Sequence, residues 1–422
     1  MKSPPWFTPW RLACVLAGSA LGCSAVAQPA SPSNTPSASA AQATRLTMAQ
    51  ALEAAWVRSL ESAEATGRQR QAQAEQRVAG TWLAGAPTLE LSQREGRGSA
   101  ADGSRETEVG IALPLWRFGQ RQQNAQTAQA ESDWAAAAER AARLRLAAQL
   151  RDQAGRLRLA EADVQQASQQ RQLLEELSAD VARRVKAGDL APADAMAAKA
   201  DMLSARALER EAQQWLATQR SAWALLTGSS VLPEPESIAA EGETSLEQHA
   251  EAQLAHAVVQ RSRQRVAQVQ AQRGAPPELG IGVRQERPGL GQAQQHSVAL
   301  SLRVPFGTET HSQPRLAVAL AEQDLALMNQ QRLRLQLEAE LALARSQLAA
   351  TTAQADAEGE RAALLRERAQ LLKKSFQAGE SSLPELLRAM AAAAQAEAAS
   401  ARQHAALAQA RARLQQALGQ LP

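Results

Sequence analysis

The sequence predicts a mainly α-helical protein with a small β part, built from long helical hairpins. Three observations support this fold class. Alanine, leucine, glutamine, arginine and glutamate dominate most of the 422 residues, and these residue types favour helices. Four short stretches instead alternate apolar side chains with small or polar ones, which is typical of strands with one apolar face. Finally, several motifs recur 191 positions apart, which indicates two copies of one unit.

The internal repeat is clearest at two similar breaks in the helical pattern. KAGDLAPAD at 186–194 resembles QAGESSLPE at 377–385, and Gly188 precedes Gly379 by 191 positions. VGIALP and LSLRVP, farther upstream in each half, show the same offset. The predicted organisation is repeat 1 over 44–228, a linker over 229–245 and repeat 2 over 246–422.

The first residues predict an export signal over 1–27. A charged start precedes a short apolar core, and small residues lead to a cleavage site after Ala27. A second interpretation stays open, because LGC in this core resembles a lipid-attachment site on Cys23. The Pro/Ser/Ala-rich segment 28–43 is predicted to be a disordered lead-in.

Composition argues against several classes of function. The formal charge is +3 and falls to +1 without Lys2 and Arg11, so nothing indicates nucleic-acid binding. Both cysteines lie in the signal, which predicts a mature chain without disulfides or thiolate metal sites. No phosphate loop, Ser/His/Asp constellation or zinc spacing is present, and the methionines do not cluster. We therefore predict no enzyme, no cofactor and no metal site.

Two strand hairpins are predicted, over 88–114 and 278–305. Glycine-rich polar linkers join the strands of each hairpin. An isolated hairpin is barely stable, so each must pack on helices or join further strands. Small residues on the second face suit a wet lumen or close packing. The apolar sets are Leu89 and Leu91; Val109, Ile111 and Leu113; Leu279, Ile281 and Val283; and Val298, Leu300, Leu302 and Val304.

A long helix is predicted between each strand hairpin and the following break. Such a helix would be on the order of 100 Å long at about 1.5 Å per residue, so it needs neighbours along its whole length. The breaks, tip 187–192 and tip 378–384, are predicted to reverse the chain. Their glycines can take the left-handed conformation that ends a helix, and a proline follows where a new helix begins. Asp189 and Glu380 are expected to cap or complement the returning helices.

This order of elements, repeated after a signal peptide, resembles the TolC-like family of outer-membrane efflux proteins. LTMAQALEAAWVRS at 46–59 resembles the opening helix of the family, although its Asn-Pro is missing. VGIALPLWRFGQR at 109–121 resembles the second strand and its exit. FQAGESSLPELLRA at 376–389 resembles the second tip of the family. Its residues are most similar to those of the cation-efflux (CzcC-like) branch.

The resemblance implies an outer-membrane channel of a tripartite efflux system in a Gram-negative bacterium. Four strands cannot close a barrel, and a homotrimer would supply twelve strands in the outer-membrane lipid above a periplasmic helical tunnel. The implied partners are a periplasmic adaptor protein and an inner-membrane RND-type pump. The channel would be a passive exit duct. Metal cations, drugs and secreted polypeptides all stay open as cargo.

The resemblance also implies a gate at the tips. Asp194 and Glu385 lie six residues after the tip glycines, where the family carries acidic residues around the narrow periplasmic end. Arg388 stands at the second gate position and departs from the acidic pattern. An alternative interpretation makes Asp194 and Glu385 ordinary first-turn helix acids.

Two further surfaces are predicted. Trp82 and Trp116 flank the first strand hairpin and are predicted to form an interfacial aromatic belt, unless they fill gaps between strands and helices. The implied adaptor contacts are Gly188, Asp189, Gly379 and Glu380. Two other classes of protein remain open. A periplasmic adaptor would carry one long helical hairpin and no repeat, and a structural coiled coil would not account for the four strands.

Overall fold

The computed structural model describes residues 46–96, 103–234, 236, 245–272, 274–289, 291–306 and 309–422. The expected signal with Cys23, the lead-in and much of the linker lie outside the described residues. The elements confirm a mainly helical fold with a small sheet. In order they are α1 (Met48–Arg58), α2 (Leu60–Gly80), β1 (Thr88–Glu95), β2 (Arg105–Pro114), α3 (Gln120–Ala187), α4 (Pro192–Thr227), a short 3₁₀ turn (Leu246–Gln248), α5 (Ala250–Ala271), β3 (Glu278–Arg287), β4 (Gln295–Arg303), α6 (Glu309–Gln377) and α7 (Leu383–Ala417).

The four strands form one antiparallel sheet in the order β1-β2-β3-β4. The central pair, β2 and β3, joins the two halves of the chain, because Pro114 pairs with Glu278 and Arg105 pairs with Arg287. The register places the apolar side chains of all four strands on the same face, in aligned cross-strand rows. These rows are Leu113, Leu279 and Leu302; Leu89, Ile111, Ile281 and Leu300; and Leu91, Val109, Val283 and Val298.

The opposite face of the sheet, called here the small-residue face, differs sharply in chemistry. Gly110, Gly282 and Ala299 form one cross-strand row, and charged side chains follow toward the hairpin loops. The strands extend beyond the predicted apolar stretches into this charged region. Cross-strand ion pairs explain the extension, including Arg284 with Glu106 at 3.0 Å.

Two very long helices organise the rest of the chain. The helices α3 and α6 contain 68 and 69 residues, which corresponds to about 100 Å each. Near the sheet, the packing order is α2-α3-α5-α6; toward the tips, α4 and α7 take the places of α2 and α5. Each long helix is thus accompanied along its length. Helices α2 and α4 form one edge of this layer and α6 forms the other.

The opening segment folds as two helices. Thr47 begins α1 with a capping box, in which its hydroxyl accepts from Gln50 N–H at 3.2 Å and its own N–H donates to the Gln50 side chain at 3.0 Å. Ser59 ends α1 and caps α2, since its Oγ accepts from Ser62 N–H at 3.1 Å. The serine offers the backbone a local hydrogen-bond partner, which explains a break that the periodicity of 46–59 did not predict.

The largest apolar cluster joins α1 and α4 to the middle of α3. Trp223 is fully buried there, beside Trp56 and Leu150, and its Nε1 donates to the carbonyl of Val231 at 3.0 Å. The chain after α4 crosses this cluster and is fixed by a buried ion pair between Arg151 and Glu236, 3.0 Å apart.

Candidate functional site

The two tips have the same backbone geometry. Gly188 and Gly379 adopt left-handed conformations, with φ of 87° and 80°. In the first tip, the N–H groups of Gly188 and Asp189 donate to the carbonyls of Val185 and Arg184; in the second, those of Gly379 and Glu380 donate to Phe376 and Ser375. This hydrogen-bond pattern is the Schellman motif, and it ends each long helix at the predicted glycine.

The acidic residues next to these glycines do not cap the returning helices. Asp189 and Glu380 are exposed. Ala191 is the N-cap of α4, and Asp194 reaches back to accept its N–H at 3.2 Å. Ser382 is the N-cap of α7 but makes no side-chain cap bond. At the first tip, the side-chain hydrogen bond to the N-cap therefore comes from Asp194, in the first turn of α4.

The tips pack together as one four-helix end. The guanidinium of Arg184, in the last turn of α3, lies 4.9 Å from the centre of the Phe376 ring at the end of α6. Its Nη1 also donates to the Phe376 carbonyl at 3.1 Å. An apolar cluster beneath this contact takes residues from all four helices: Leu174, Leu177, Val181, Ala198, Ala205, Phe376, Leu383 and Leu386.

The predicted gate residues lie within the first two turns of the returning helices. Glu385 and Arg388 are both exposed on α7. Arg388 Nε donates to the carbonyl of Pro384 at 3.1 Å, and within the described chain no ion pair joins it to Glu385.

The apolar face of the sheet is exposed along its length. Leu89, Leu91, Val298 and Leu300 each expose more than two thirds of their surface. A single chain therefore presents a broad apolar surface that it does not cover itself. Within the described chain, no helix combines the length and apolar composition that crossing a bilayer requires.

Aromatic side chains cluster where the helices join the sheet. Trp82 is 90% exposed between α2 and β1. Trp116 is half-buried, and its Nε1 donates to the Thr81 carbonyl at 3.0 Å, so it packs in the joint between α2 and the exit of β2. Phe118 and Phe306 are fully exposed at the same end of the sheet. These two residues were not predicted from the sequence. The signal that could have found them is an aromatic residue a few positions after each of β2 and β4.

The most perturbed histidine lies where the end of α7 meets the start of α5. His249 is buried and caps α5, since its Nδ1 accepts from Glu251 N–H at 3.2 Å. Burial lowers the pKa of His249, although a hydrogen bond to the Gln416 backbone and the Glu251 and Glu340 carboxylates act in the opposite direction. Among the described residues, no group of three or more His, Asp or Glu could hold a metal ion.

The sequence matches no protein-family model and no curated protein. Solved structures do match. The outer membrane protein VceC of Vibrio cholerae shares 18% identity over 88% of this chain and 96% of its own, with a TM-score of 0.71. The outer-membrane channel OprN shares 21% over 88% and 89%, with a TM-score of 0.71. The open-state outer membrane channel MtrE of Neisseria gonorrhoeae shares 19% over 88% and 89%, with a TM-score of 0.69.

This chain has the fold of these outer-membrane channels. The likeness extends over almost nine tenths of the chain. It confirms the predicted fold class. It does not select the cation-efflux branch of the resembled family, and identities near one fifth carry no residue roles across.

Proposed function

We propose that this chain is the outer-membrane channel of a tripartite efflux system and serves as a passive exit duct without enzymatic activity. The observation that carries the proposal is the two-faced sheet. Three aligned apolar rows are exposed on one face, while glycine, alanine and charged residues occupy the other. This division suits a wall between lipid and a watery lumen.

The edges of the sheet support a closed homotrimer. β1 and β4 are its outer strands, and neither has a further partner strand among the described residues. Pairing β1 of one chain with β4 of the next gives a head-to-tail contact that closes into a ring. Three chains supply twelve strands, enough for a barrel, whereas four strands are too few.

The helical layer can close in the same direction. One edge exposes apolar side chains of α4, including Met196, Leu203 and Trp215, and the other exposes Leu335 and Leu364 of α6. Placing the α4 edge of one chain against the α6 edge of the next would cover both. The same three-fold ring would then continue as a tunnel of helices about 100 Å long.

The apolar band has a length suited to an outer membrane. On β4 and its exit, the outward series runs Val298, Leu300, Leu302, Val304 and Phe306. Eight residue steps at about 3.4 Å give roughly 27 Å along the strand, or about 20 Å at a 40° tilt, close to the apolar band of membrane barrels. Trp82, Phe118 and Phe306 would form the aromatic belt, with Trp116 bracing the joint behind it.

The tips are the proposed contact for a periplasmic adaptor that links the channel to an inner-membrane RND-type pump. Gly188, Asp189, Gly379 and Glu380 are exposed at the end opposite the sheet. Neither tip glycine has an atom within 4 Å of where a Cβ would lie, so a partner backbone could approach closely. Asp194, Glu385 and Arg388 would line the gate beside this contact.

Heavy-metal cations are the proposed cargo, because the sequence of 376–389 most resembles that of the cation-efflux branch. Drug efflux and polypeptide secretion are the alternatives, and growth of a deletion strain on metal salts and on drugs separates them. Cell fractionation addresses the rival classes: an adaptor or a structural coiled coil would not be found in the outer membrane.

A cysteine pair on β4 tests the proposal directly. Ala299 and Leu300 are neighbours on opposite faces of the sheet, and the only native cysteines lie in the expected signal. A fluorophore on Leu300→Cys should be quenched by lipid-borne quenchers, and one on Ala299→Cys by water-soluble ones. Light scattering in detergent should give a trimer mass. Equal water exposure of both positions, or a soluble monomer, would contradict the proposal.

A further inference from the structure

The two faces of the sheet carry opposite net charges. On the small-residue face, the described strands carry five glutamates and three arginines, a net charge of −2 per chain. The apolar face carries one glutamate, Glu95, and two arginines, Arg105 and Arg287, so its net charge is +1 per chain. The charged residues of the small-residue face are Glu90, Glu106, Glu108, Glu278 and Glu286, with Arg94, Arg284 and Arg303.

Arg284 organises the densest part of this face. Its Nε lies 3.0 Å from Glu106 Oε1, and its Nη2 lies 3.5 Å from Glu108 Oε2, both on the neighbouring strand. Glu106 also stands directly opposite Glu286, a like-charge pair that would weaken the sheet by itself. The guanidinium therefore offsets several crowded carboxylates at one level of the sheet.

This level lies near the hairpin loops, away from the helices. The helices join the sheet at Thr88, Pro114, Glu278 and Arg303, the ends of the strands opposite those loops. Between the two ends, the row of Gly110, Gly282 and Ala299 has little side-chain bulk apart from Glu90 at its β1 end. In a closed barrel, Glu106, Glu108 and Glu286 would thus form a collar at the outer mouth together with Arg94 and Arg284, with a net charge of −1 per chain.

We propose that this collar gives the channel a preference for cations over anions, and that Arg284 sets its strength. The inference rests on the proposed channel function and adds its charge selectivity. A wall with excess negative charge concentrates cations in the adjacent water. The effect extends about 30 Å from the wall at 0.01 M salt but only about 3 Å at 1 M, so it should depend strongly on salt.

Reversal potentials across planar bilayers test the inference with the full chain. In about 10 mM KCl, where screening is weak, wild type should prefer K⁺. Arg284→Gln takes the net charge of the face from −2 to −3 per chain, so its cation-to-anion permeability ratio should rise by about half. Glu108→Gln should lower the ratio. At about 1 M KCl these differences should vanish.

Arg287→Gln is the matched control. It removes the same charge three residues away on β3, but from the apolar face. It should leave the permeability ratio unchanged. If Arg284→Gln matches wild type or Arg287→Gln, the selectivity lies elsewhere and the inference is wrong. If wild type itself forms no conducting pore, the proposed channel function fails, which is a different result from unchanged selectivity in a working pore.

Discussion

Arg184 stacks on the ring of Phe376 and donates a hydrogen bond to the same residue's carbonyl at 3.1 Å. These residues lie 192 positions apart, at the ends of the two longest helices. One side chain thus binds both the aromatic ring and the carbonyl end of the neighbouring helix, where a cation is favourable. The two tips are held as a unit by this contact.

Replacing Arg184 by alanine should loosen both tips. The lost stacking and hydrogen bonding are worth about 1–2 kcal/mol, so local opening should be roughly 5- to 30-fold more frequent. Hydrogen exchange of 183–190 and 374–382 measures this. Arg183→Ala is the control, because Arg183 is exposed and pairs only with Asp180 among the contacts described. Equal exchange in the two variants would contradict the role of Arg184.

Gly379→Ala should destabilise the chain by about 1–2 kcal/mol, because a left-handed conformation strains any residue with a Cβ. Gly359 lies inside α6 with equally open space around a Cβ, so Gly359→Ala should stabilise by about 0.5–1 kcal/mol. Chemical denaturation of the two variants compares these signs. A stabilising Gly379→Ala would show that the tip does not depend on its glycine.

Both tips could be predicted from sequence because their determinants are local. A glycine, a nearby proline and a helical flank suffice to specify the reversal, and the apolar face of each strand follows from two-residue alternation. The Arg184–Phe376 contact could not be predicted, because it depends on how the two halves pack. The capping bond of Asp194 was not predicted because α4 begins after Ala191 and not after Asp189. The packing of Trp116 was not predicted because its partner is a carbonyl 35 residues earlier, at the end of α2.

The buried ion pair between Arg151 and Glu236 should be sensitive to the loss of one partner. Glu236→Ala leaves the Arg151 guanidinium buried without its carboxylate, which should destabilise the protein by about 3–5 kcal/mol. The double variant Arg151→Met with Glu236→Ala should recover much of the loss. Urea unfolding followed by circular dichroism measures both. Equal stability of the single and double variants would argue against the pair.

Stability should decrease as the pH falls through about 6.5, partly through His249. Its pKa is lowered in the folded protein, so the unfolded chain takes up the proton at a higher pH. Acidification therefore stabilises the unfolded chain relative to the folded one. Protonation would also remove the Nδ1 acceptor that caps α5. His249→Asn keeps a good N-cap without titrating. Thermal unfolding at pH 7.5 and pH 5.5 should show a smaller decrease for the variant; an equal decrease would exclude His249.

Under the proposed gate, Arg388→Ala should loosen the tips and raise conductance, and Glu385→Ala should shift ion preference toward anions. The reason is that charges around one constriction either pair between chains or set the local field. Single-channel recordings measure both changes. Arg402→Ala, on the same helix but four turns farther from the tip, is the control. Wild-type behaviour of both tip variants would make these residues ordinary solvated positions.

The central strand pairing has a consequence for the order of folding. Strands β2 and β3 meet across 164 residues between Pro114 and Glu278, whereas the helical hairpins form from neighbouring segments. Local contacts form quickly and distant ones late, because closing a long loop costs entropy before any contact repays it. The helices should therefore fold first and the sheet last. The exposed apolar face would then be completed only near the end of biogenesis, which shortens the time in which it could aggregate.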